Sequence, residues 1–209
     1  MRYDLDQVPE PIAYRLLAAT VIPRPIAWVV TEDAEGHRNA APFSFFNVMG
    51  SAPPTVALGL LADPGRGLKD TAQAILNTKE FVINLVPERL VQAMNVTAVD
   101  APRGVDELAL AGLATTASAH VRPPRISESP VAFECRLHSA VPTGPWQTVI
   151  IGLVLAVHVE DRFLKDPLRA HIDTDALDLV ARSHGAGYVR SHDTFQLARP
   201  RWDTLRPKP

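Results

Sequence analysis

The sequence contains a single cysteine, few aromatic residues and no excess of charge of either sign. Cys135 is the only cysteine among 209 residues, so neither an internal disulfide nor a CxxC motif can form. The 21 basic and 23 acidic residues leave a formal charge of -2, which gives no basic excess for nucleic acid or an anionic membrane. The longest apolar run, Thr148–Val157, falls short of the ~20 residues of a membrane-spanning helix. With a polar N-terminus, these scarcities predict a cytoplasmic protein without nucleic-acid or membrane partners.

Common catalytic and nucleotide-binding signatures are also missing. There is no GxSxG, no GxGxxG after a strand and no GxxxxGK[ST] loop, so a Rossmann-type dinucleotide site is not supported. Cys135 lies in the strand-like segment FECRL, where a cysteine is more often a core residue than a nucleophile. The histidines are too far apart for a zinc signature, and no metal site is predicted; they are His37, His120, His138, His158, His171, His184 and His192.

Proline, in contrast, is abundant. The 19 prolines make up about 9% of the chain, against a usual ~5%. They lie between apolar runs and form no low-complexity tract, which is typical of strands joined by shaped loops.

The apolar runs predict a mainly β (α+β) chain of one domain, residues 1–209. Helices and strands do not alternate regularly, so we expect an antiparallel barrel, closed or partly closed, with short helices at its ends. Within it, Pro42 indicates an edge or a bend, and Gly152 a bulge or a close backbone approach. The predicted strands are Ile26–Thr31, Arg38–Phe46, Thr55–Leu61, Glu80–Val86, Leu113–His120, Val131–Val141 and Gln147–Val159. The predicted helices are Asp70–Thr78, Glu88–Val96 and Thr174–Arg182, with a helical turn at Asp106–Leu110 and Asp70 or Thr71 as the N-cap of the first.

Two segments could together bind an anion. In Ala41–Asn47 a strand runs through Pro42 into groups that can donate hydrogen bonds, including the Ser44 hydroxyl and the Asn47 amide. The segment 66–71 (RGLKDT) leads directly into a predicted helix, whose N-terminus carries free N–H groups and partial positive charge. Lys69 and Thr71 would complete a seat for a phosphate. Ordinary helix capping, with Arg66 and Lys69 solvated, is the alternative.

The order of several segments resembles the flavin reductase-like FMN-binding proteins, which include the flavoredoxins. The segments are PRPIAWVVTEDAEGHRNAAPFSFFN, SAPPTVALGL, KDTAQAILNTKEFVINLV, AMNVTAVDAPRGVDELALAGL, PPRISESPVAFECRL and GYVR, and the resemblance covers residues 20–198. It implies an antiparallel split β-barrel of the FMN-binding type. It also implies an obligate homodimer with one FMN per subunit near the dimer interface.

The same resemblance assigns candidate FMN-binding residues. Along the first hairpin they are Trp28, Thr31, Ala41, Ser44, Phe45, Phe46 and Asn47; on the phosphate side they are Lys69, Asp70 and Thr71; from the C-terminal segment, or that of the partner subunit, they are His184 and Tyr188. Three alternatives stay open. Trp28 fits a core position, Tyr188 could simply fix the C-terminal segment, and at least one of Phe43, Phe45 and Phe46 should face the core because strand neighbours point to opposite faces.

The resemblance implies an oxidoreductase that passes electrons from NADH or NADPH through FMN. The acceptor would be free flavin, oxygen, ferric iron or a partner protein such as an oxygenase. One departure weakens the nicotinamide assignment: where the short flavin reductases carry Gly-Asp-His before a Gly-Glu-Val strand, this chain has Pro145, Trp146 and Gln147, and then Leu153 in place of the Glu. A non-enzymatic, flavoredoxin-like electron carrier is therefore the alternative, and a split barrel without flavin is a third.

Overall fold

The structure is a computed structural model that describes residues 1–62, 65 and 67–205. Part of the predicted loop before the first predicted helix, including Arg66, lies outside the described residues. The strands are β1 (Arg24–Pro25), β2 (Ala27–Glu32), β3 (Arg38–Phe43), β4 (Phe46–Ser51), β5 (Pro54–Leu61), β6 (Glu80–Asn84), β7 (Thr115–Thr116), β8 (Arg125–Ile126), β9 (Val131–Gly144), β10 (Gln147–Val159), β11 (Leu164–Asp166), β12 (His171–Ile172), β13 (Val180–Arg182) and β14 (Tyr188–Arg190). The helices are α1 (Glu10–Thr20), α2 (Asp70–Thr78), α3 (Val91–Val96), α4 (Glu107–Leu110) and α5 (Trp202–Leu205), with 3-10 turns at Glu88–Leu90, Asp161–Phe163 and Pro167–Arg169.

A seven-stranded antiparallel sheet dominates the molecule, in the order β3-β2-β6-β9-β10-β5-β4. Its centre is the long hairpin of β9 and β10. The strand order does not close on itself, so β3 and β4 are the sheet edges. The predicted mainly antiparallel architecture with short helices is confirmed, and Pro42 lies in an edge strand as predicted.

Both faces of this sheet are covered at β2, which explains the continuous apolar sequence of that strand. Trp28 and Val30 point into one buried cluster, while Ala27 and Val29 point into another on the opposite face. Side chains alternate between faces along a strand, so a strand buried on both sides needs apolar residues at every position. As a result β2 is a rigid base for the β2–β3 hairpin.

Gly152 makes the close approach predicted for it. The strand register shifts between Ile151 and Gly152, and a Cβ atom on Gly152 would lie 2.5 Å from Cζ of Phe81. The wholly buried Phe81 ring occupies the space that a side chain would need. Both the bulge and the close approach are therefore present.

Several predicted elements differ from the structure. Leu113–His120 contains only the two-residue strand β7. Arg38–Phe46 is interrupted after Phe43, so Phe46 begins β4. The predicted helix Thr174–Arg182 is wrong: Asp178 has φ of 51°, which a right-handed helix does not allow, and the chain then enters β13. Its apolar residues resemble a helical stripe, but Leu177 and Val180 belong to different buried clusters.

Helix α1 is not predicted by the sequence pattern. This helix starts after Pro9 and carries proline in its first turn, where the missing N–H does no harm. Only Ala18 is buried, so the amphipathic signal is weak. None of the helices within the described ranges is long and apolar enough to cross a membrane.

Candidate functional site

The outer edge of β3 forms one wall of the candidate site. Ala40 directs its backbone N–H away from β2, where it donates a hydrogen bond to Oε2 of Glu107, with N and O 3.0 Å apart. The next outward position is Pro42, which has no N–H. At these two positions the edge therefore has no free N–H group with which another strand could pair. The edge faces α4 and the start of α2.

The N-terminus of α2 forms the second wall. Its N-cap is Lys69 rather than the predicted Asp70 or Thr71, and no described side chain caps the helix. Thr71 instead donates its hydroxyl to Oδ1 of Asn39 at 3.3 Å, which ties the first helical turn to β3. The first-turn N–H groups are therefore not occupied by a side-chain cap, which is the condition under which a helix start can bind an anion.

A cavity of about 270 Å³ lies between these walls and is closed on its third side by residues 97–103. Asp70 forms an ion pair with Arg103 at 3.0 Å, and Arg103 also donates to the carbonyl of Leu68 at 2.9 Å. The cavity brings together four of the predicted residues: Ala41, Lys69, Asp70 and Thr71.

Glu107 also lines this cavity and was missed by the sequence reasoning. Burial raises the pKa of its carboxyl group, and the nearby charges of Asp70 and Asp106 raise it further, against the hydrogen bond from Ala40. The available signal was the segment VDEL: Asp106 is a regular N-cap that accepts hydrogen bonds from the N–H groups of Leu108 and Ala109. The residue after such a cap sits at the start of a helix, but nothing in the sequence tells which strand it meets.

A second, more apolar cavity of about 540 Å³ contains four further predicted residues: Ser44, Phe45, Phe46 and Asn47. Phe45 lies directly over Gly59, where a Cβ atom would come within 2.9 Å of Cβ of Phe45. The backbone N–H of Gly59 donates to the carbonyl of Phe45 at 2.7 Å. Leu17 of α1 and Val21, which follows the helix, cover part of this cavity. Consecutive residues line the two cavities, since Phe43 lines the first and Ser44 the second.

Two predicted residues of β2 are buried. Trp28 lies in the core, where its indole N–H donates to Oγ1 of Thr97 at 2.9 Å, so it supports residues 97–103 from beneath. Trp28 therefore occupies a core position, which was one of the alternatives left open by the sequence. Thr31 is wholly buried beside a third cavity, of about 260 Å³, on the other side of Asp70. Its hydroxyl has no hydrogen-bond partner among the described residues.

The two C-terminal candidates lie apart from both site cavities of their own chain. Tyr188 packs beneath the Arg182 guanidinium, whose central carbon is 4.7 Å from the ring centre. It also packs against the core cluster that contains Trp28. His184 is exposed. In a single chain the structure therefore does not bring these two residues to the others, and the prediction that they approach a ligand depends on a partner subunit.

Other reactive side chains have structural explanations. Cys135 is buried in the sheet, and burial raises the pKa of its thiol, which makes it unreactive. In the described part of the chain two groups have metal-like spacing: Asp33, Glu35 and His37, and Glu88, Asp178 and His192. Both lie near the surface, and in each group a histidine already pairs with an aspartate, at 2.9 Å for the first and 2.7 Å for the second.

Known proteins share the sequence pattern and the fold of this chain. Residues 19–175 match the family model described as "Flavin reductase like domain". A protein of Deinococcus radiodurans is 41% identical over 94% of this chain and 88% of its own length. The structure of nitrilotriacetate monooxygenase component B from Bacillus cereus is 30% identical, with a TM-score of 0.89 over 94% of this chain and 98% of that one. The 2-nitrobenzoate 2-nitroreductase NbaA of Pseudomonas fluorescens is 28% identical, with a TM-score of 0.88 over 100% of this chain and 99% of that one.

Proposed function

Because this chain belongs to the flavin reductase-like family and has its split-barrel fold, we propose that it is an oxidoreductase that binds one FMN per subunit and passes electrons through it. The observation that carries the proposal is the shared cavity in which the α2 N-terminus, with Lys69 and Thr71, faces the edge of β3. A cationic side chain and helix N–H groups without a side-chain cap are typical of a phosphate seat, to which Thr71 would add its hydroxyl by exchanging Asn39 for the phosphate.

The residues present fit FMN as a whole. The phosphate would bind at Lys69 and Thr71, while Ser44–Asn47 and the apolar cavity of about 540 Å³ would take the planar ring. The end of β3 leads from the first cavity to the second and would contact the ribityl chain. When bound, the flavin supplies the hydride and electron chemistry, and the protein binds and orients it and excludes water.

The binding experiment separates the phosphate from the rest of the ligand. Lys69→Ala should weaken FMN binding about tenfold while leaving riboflavin binding unchanged, because one charge-assisted hydrogen bond contributes ~1.5–3 kcal/mol and Lys69 is solvent-exposed. Both affinities are measured by quenching of flavin fluorescence. Lys165→Ala is the control, since it removes the same charge from a residue that lines neither cavity. Equal weakening of FMN and riboflavin in Lys69→Ala would contradict the phosphate assignment.

We further propose that the protein is a homodimer that buries the apolar surface around the ring cavity. Val21 and Met49 line this cavity and are 61% and 56% exposed, and the exposed Val48 and Trp146 are next in sequence to the lining residues Asn47 and Gln147. Patches of this kind usually mark interfaces, and this one would place His184 and Tyr188 of the partner near the flavin. Light scattering should therefore show that Val48→Asp is monomeric, and titration should show that it binds FMN more weakly. Leu168→Asp, at a fully exposed position on another surface, should remain dimeric; a Val48→Asp dimer with unchanged FMN affinity would refute the shared interface.

The electron donor we propose is NADH or NADPH, with an oxygenase component or a small molecule as acceptor. The two solved relatives carry names of this kind, a monooxygenase component and a nitroreductase. The alternative is a non-enzymatic carrier, favoured by the tip of the β9–β10 hairpin, where Trp146 and Gln147 stand in place of the reductase Asp-His pair. Anaerobic mixing of the FMN-loaded protein with each nucleotide distinguishes them. Bleaching of the flavin band supports the reductase, and its absence with both nucleotides supports the carrier.

A further inference from the structure

Arg24 is a buried cation beside the apolar cavity that the proposed flavin ring would occupy. Only 7% of the residue is exposed, and it lines the cavity together with Ser44. Its guanidinium donates to the carbonyls of Ala18 and Val21 and, at 2.9 Å, to that of Ser183. Its Nε donates weakly to the Ser44 hydroxyl, at 3.4 Å.

Every one of these partners is uncharged. Within residues 1–62, 65 and 67–205, no carboxylate forms an ion pair with Arg24. A buried charge is normally paired, because desolvation otherwise makes its burial costly. The carbonyls of Ala18 and Val21 belong to the C-terminal end of α1, which carries about half a negative charge. Among the described residues, only the partial negative charges of carbonyl and hydroxyl oxygens therefore oppose the positive charge of Arg24 at the cavity.

We propose that Arg24 stabilises the negative charge that a flavin bound in this cavity acquires when it is reduced. The inference rests on the proposed function. Hydride transfer adds two electrons and one proton at N5 of the ring, and the remaining negative charge resides at N1 and the C2 carbonyl. A fixed cation in a largely apolar cavity interacts with such a charge much more strongly than in water, and charge near N1 is a main way in which proteins tune flavins.

This role differs from that of a structural clamp between α1 and Ser183. A clamp would affect folding and the position of α1, but it would leave the electronic properties of a bound flavin unchanged. The electrostatic role requires the charge itself, so a lysine at position 24 should retain most of the effect although it loses the forked geometry.

Sulfite measures this charge stabilisation without turnover. Its sulfur lone pair forms a bond to N5 of oxidised flavin, and the displaced electron pair resides at N1, so a cation near N1 strengthens the adduct. We expect the FMN-loaded Arg24→Gln variant to bind sulfite at least tenfold more weakly, as followed by bleaching of the visible band. Its two-electron reduction potential should fall by the equivalent of that tenfold change, about 30 mV. Arg24→Lys should remain within about threefold of the unsubstituted protein.

Arg15→Gln is the matched control. Arg15 lies on α1, is exposed and does not line the cavity, so the substitution removes the same charge outside the site. It should leave sulfite binding and the potential unchanged. Unchanged values in a folded, FMN-loaded Arg24→Gln protein would overturn the inference and leave the proposed function intact, whereas failure of the unsubstituted protein to bind FMN would overturn the proposed function. If Arg24→Gln does not fold, a pH titration of the reduced unsubstituted holoprotein decides. A bound flavin that stays anionic well below the pH at which free reduced FMN takes up a proton supports the role of Arg24, and one that does not contradicts it.

Discussion

Substitution of Gly152 by alanine tests the packing at the centre of the β9–β10 hairpin. The new Cβ atom would lie 2.5 Å from Cζ of Phe81 and 3.3 Å from Cγ2 of Val56. Carbon atoms in contact are normally ~3.5–4.0 Å apart, so the end of the Phe81 ring must move by roughly 1 Å. Phe81 is wholly buried, so its ring can move only by displacing neighbouring core side chains.

Overpacking of this kind costs ~1–3 kcal/mol, and alanine recovers ~0.5–1 kcal/mol because it has less backbone entropy to lose than glycine. We therefore expect the free energy of unfolding to fall by about 1–2 kcal/mol. Urea denaturation at a fixed protein concentration measures it, since the stability of a dimer depends on concentration.

Gly144→Ala is the control on the same hairpin, because the atoms nearest its Cβ would be those of the exposed Gln147 side chain, at 3.3 Å. Phe81→Leu, which removes the ring atoms that clash, should relieve the effect of Gly152→Ala with a coupling energy of ~0.5–3 kcal/mol. Wild-type stability of Gly152→Ala, or additive effects in the double variant, would refute the reasoning.

Two further substitutions test buried polar groups. Burial alone would raise the pKa of Glu134, but hydrogen bonds from the N–H groups of Ala119 and His120 and from the His158 ring lower it below its ordinary 4.5. The stabilisation from these bonds is present at neutral pH and is lost as the pH falls through the lowered pKa. Glu134→Gln should therefore destabilise the protein at pH ~7 and differ little from wild type at pH ~2. A constant difference across urea titrations at both pH values would contradict the assigned charge. Thr31→Val should stabilise the flavin-free protein by ~1 kcal/mol because the Thr31 hydroxyl is buried without a described partner. Thermal unfolding without FMN checks this, and a loss of stability would mean that the hydroxyl has a partner.

The central strands of the sheet were predictable because they are long and apolar, whereas the edge strand β4, most of which is exposed, was not predicted beyond Phe46. Gln147–Val159 was predicted with the boundaries of β10, and the helix Asp70–Thr78 with those of α2. In both, side-chain pattern and flanking residues agree. The short strand β13 and the helix α1 were missed since each contributes few buried residues of its own, and both are held by contacts with distant parts of the chain.

The candidate site was only partly predictable for the same reason. Lys69 and Thr71 could be identified because the start of a helix is visible in the sequence. Arg24 and Glu107 could not, since their roles depend on tertiary contacts: Arg24 reaches the carbonyl of Ser183, and Glu107 receives the N–H of Ala40. Local pattern carries no information on such pairings.

The binding of FMN to the purified, flavin-free protein tests the central claim most directly. A titration followed by flavin fluorescence and by the visible absorption spectrum should saturate at one FMN per subunit with micromolar or tighter affinity, and riboflavin should bind more weakly. A protein that leaves added FMN free in solution at micromolar concentration would contradict the account.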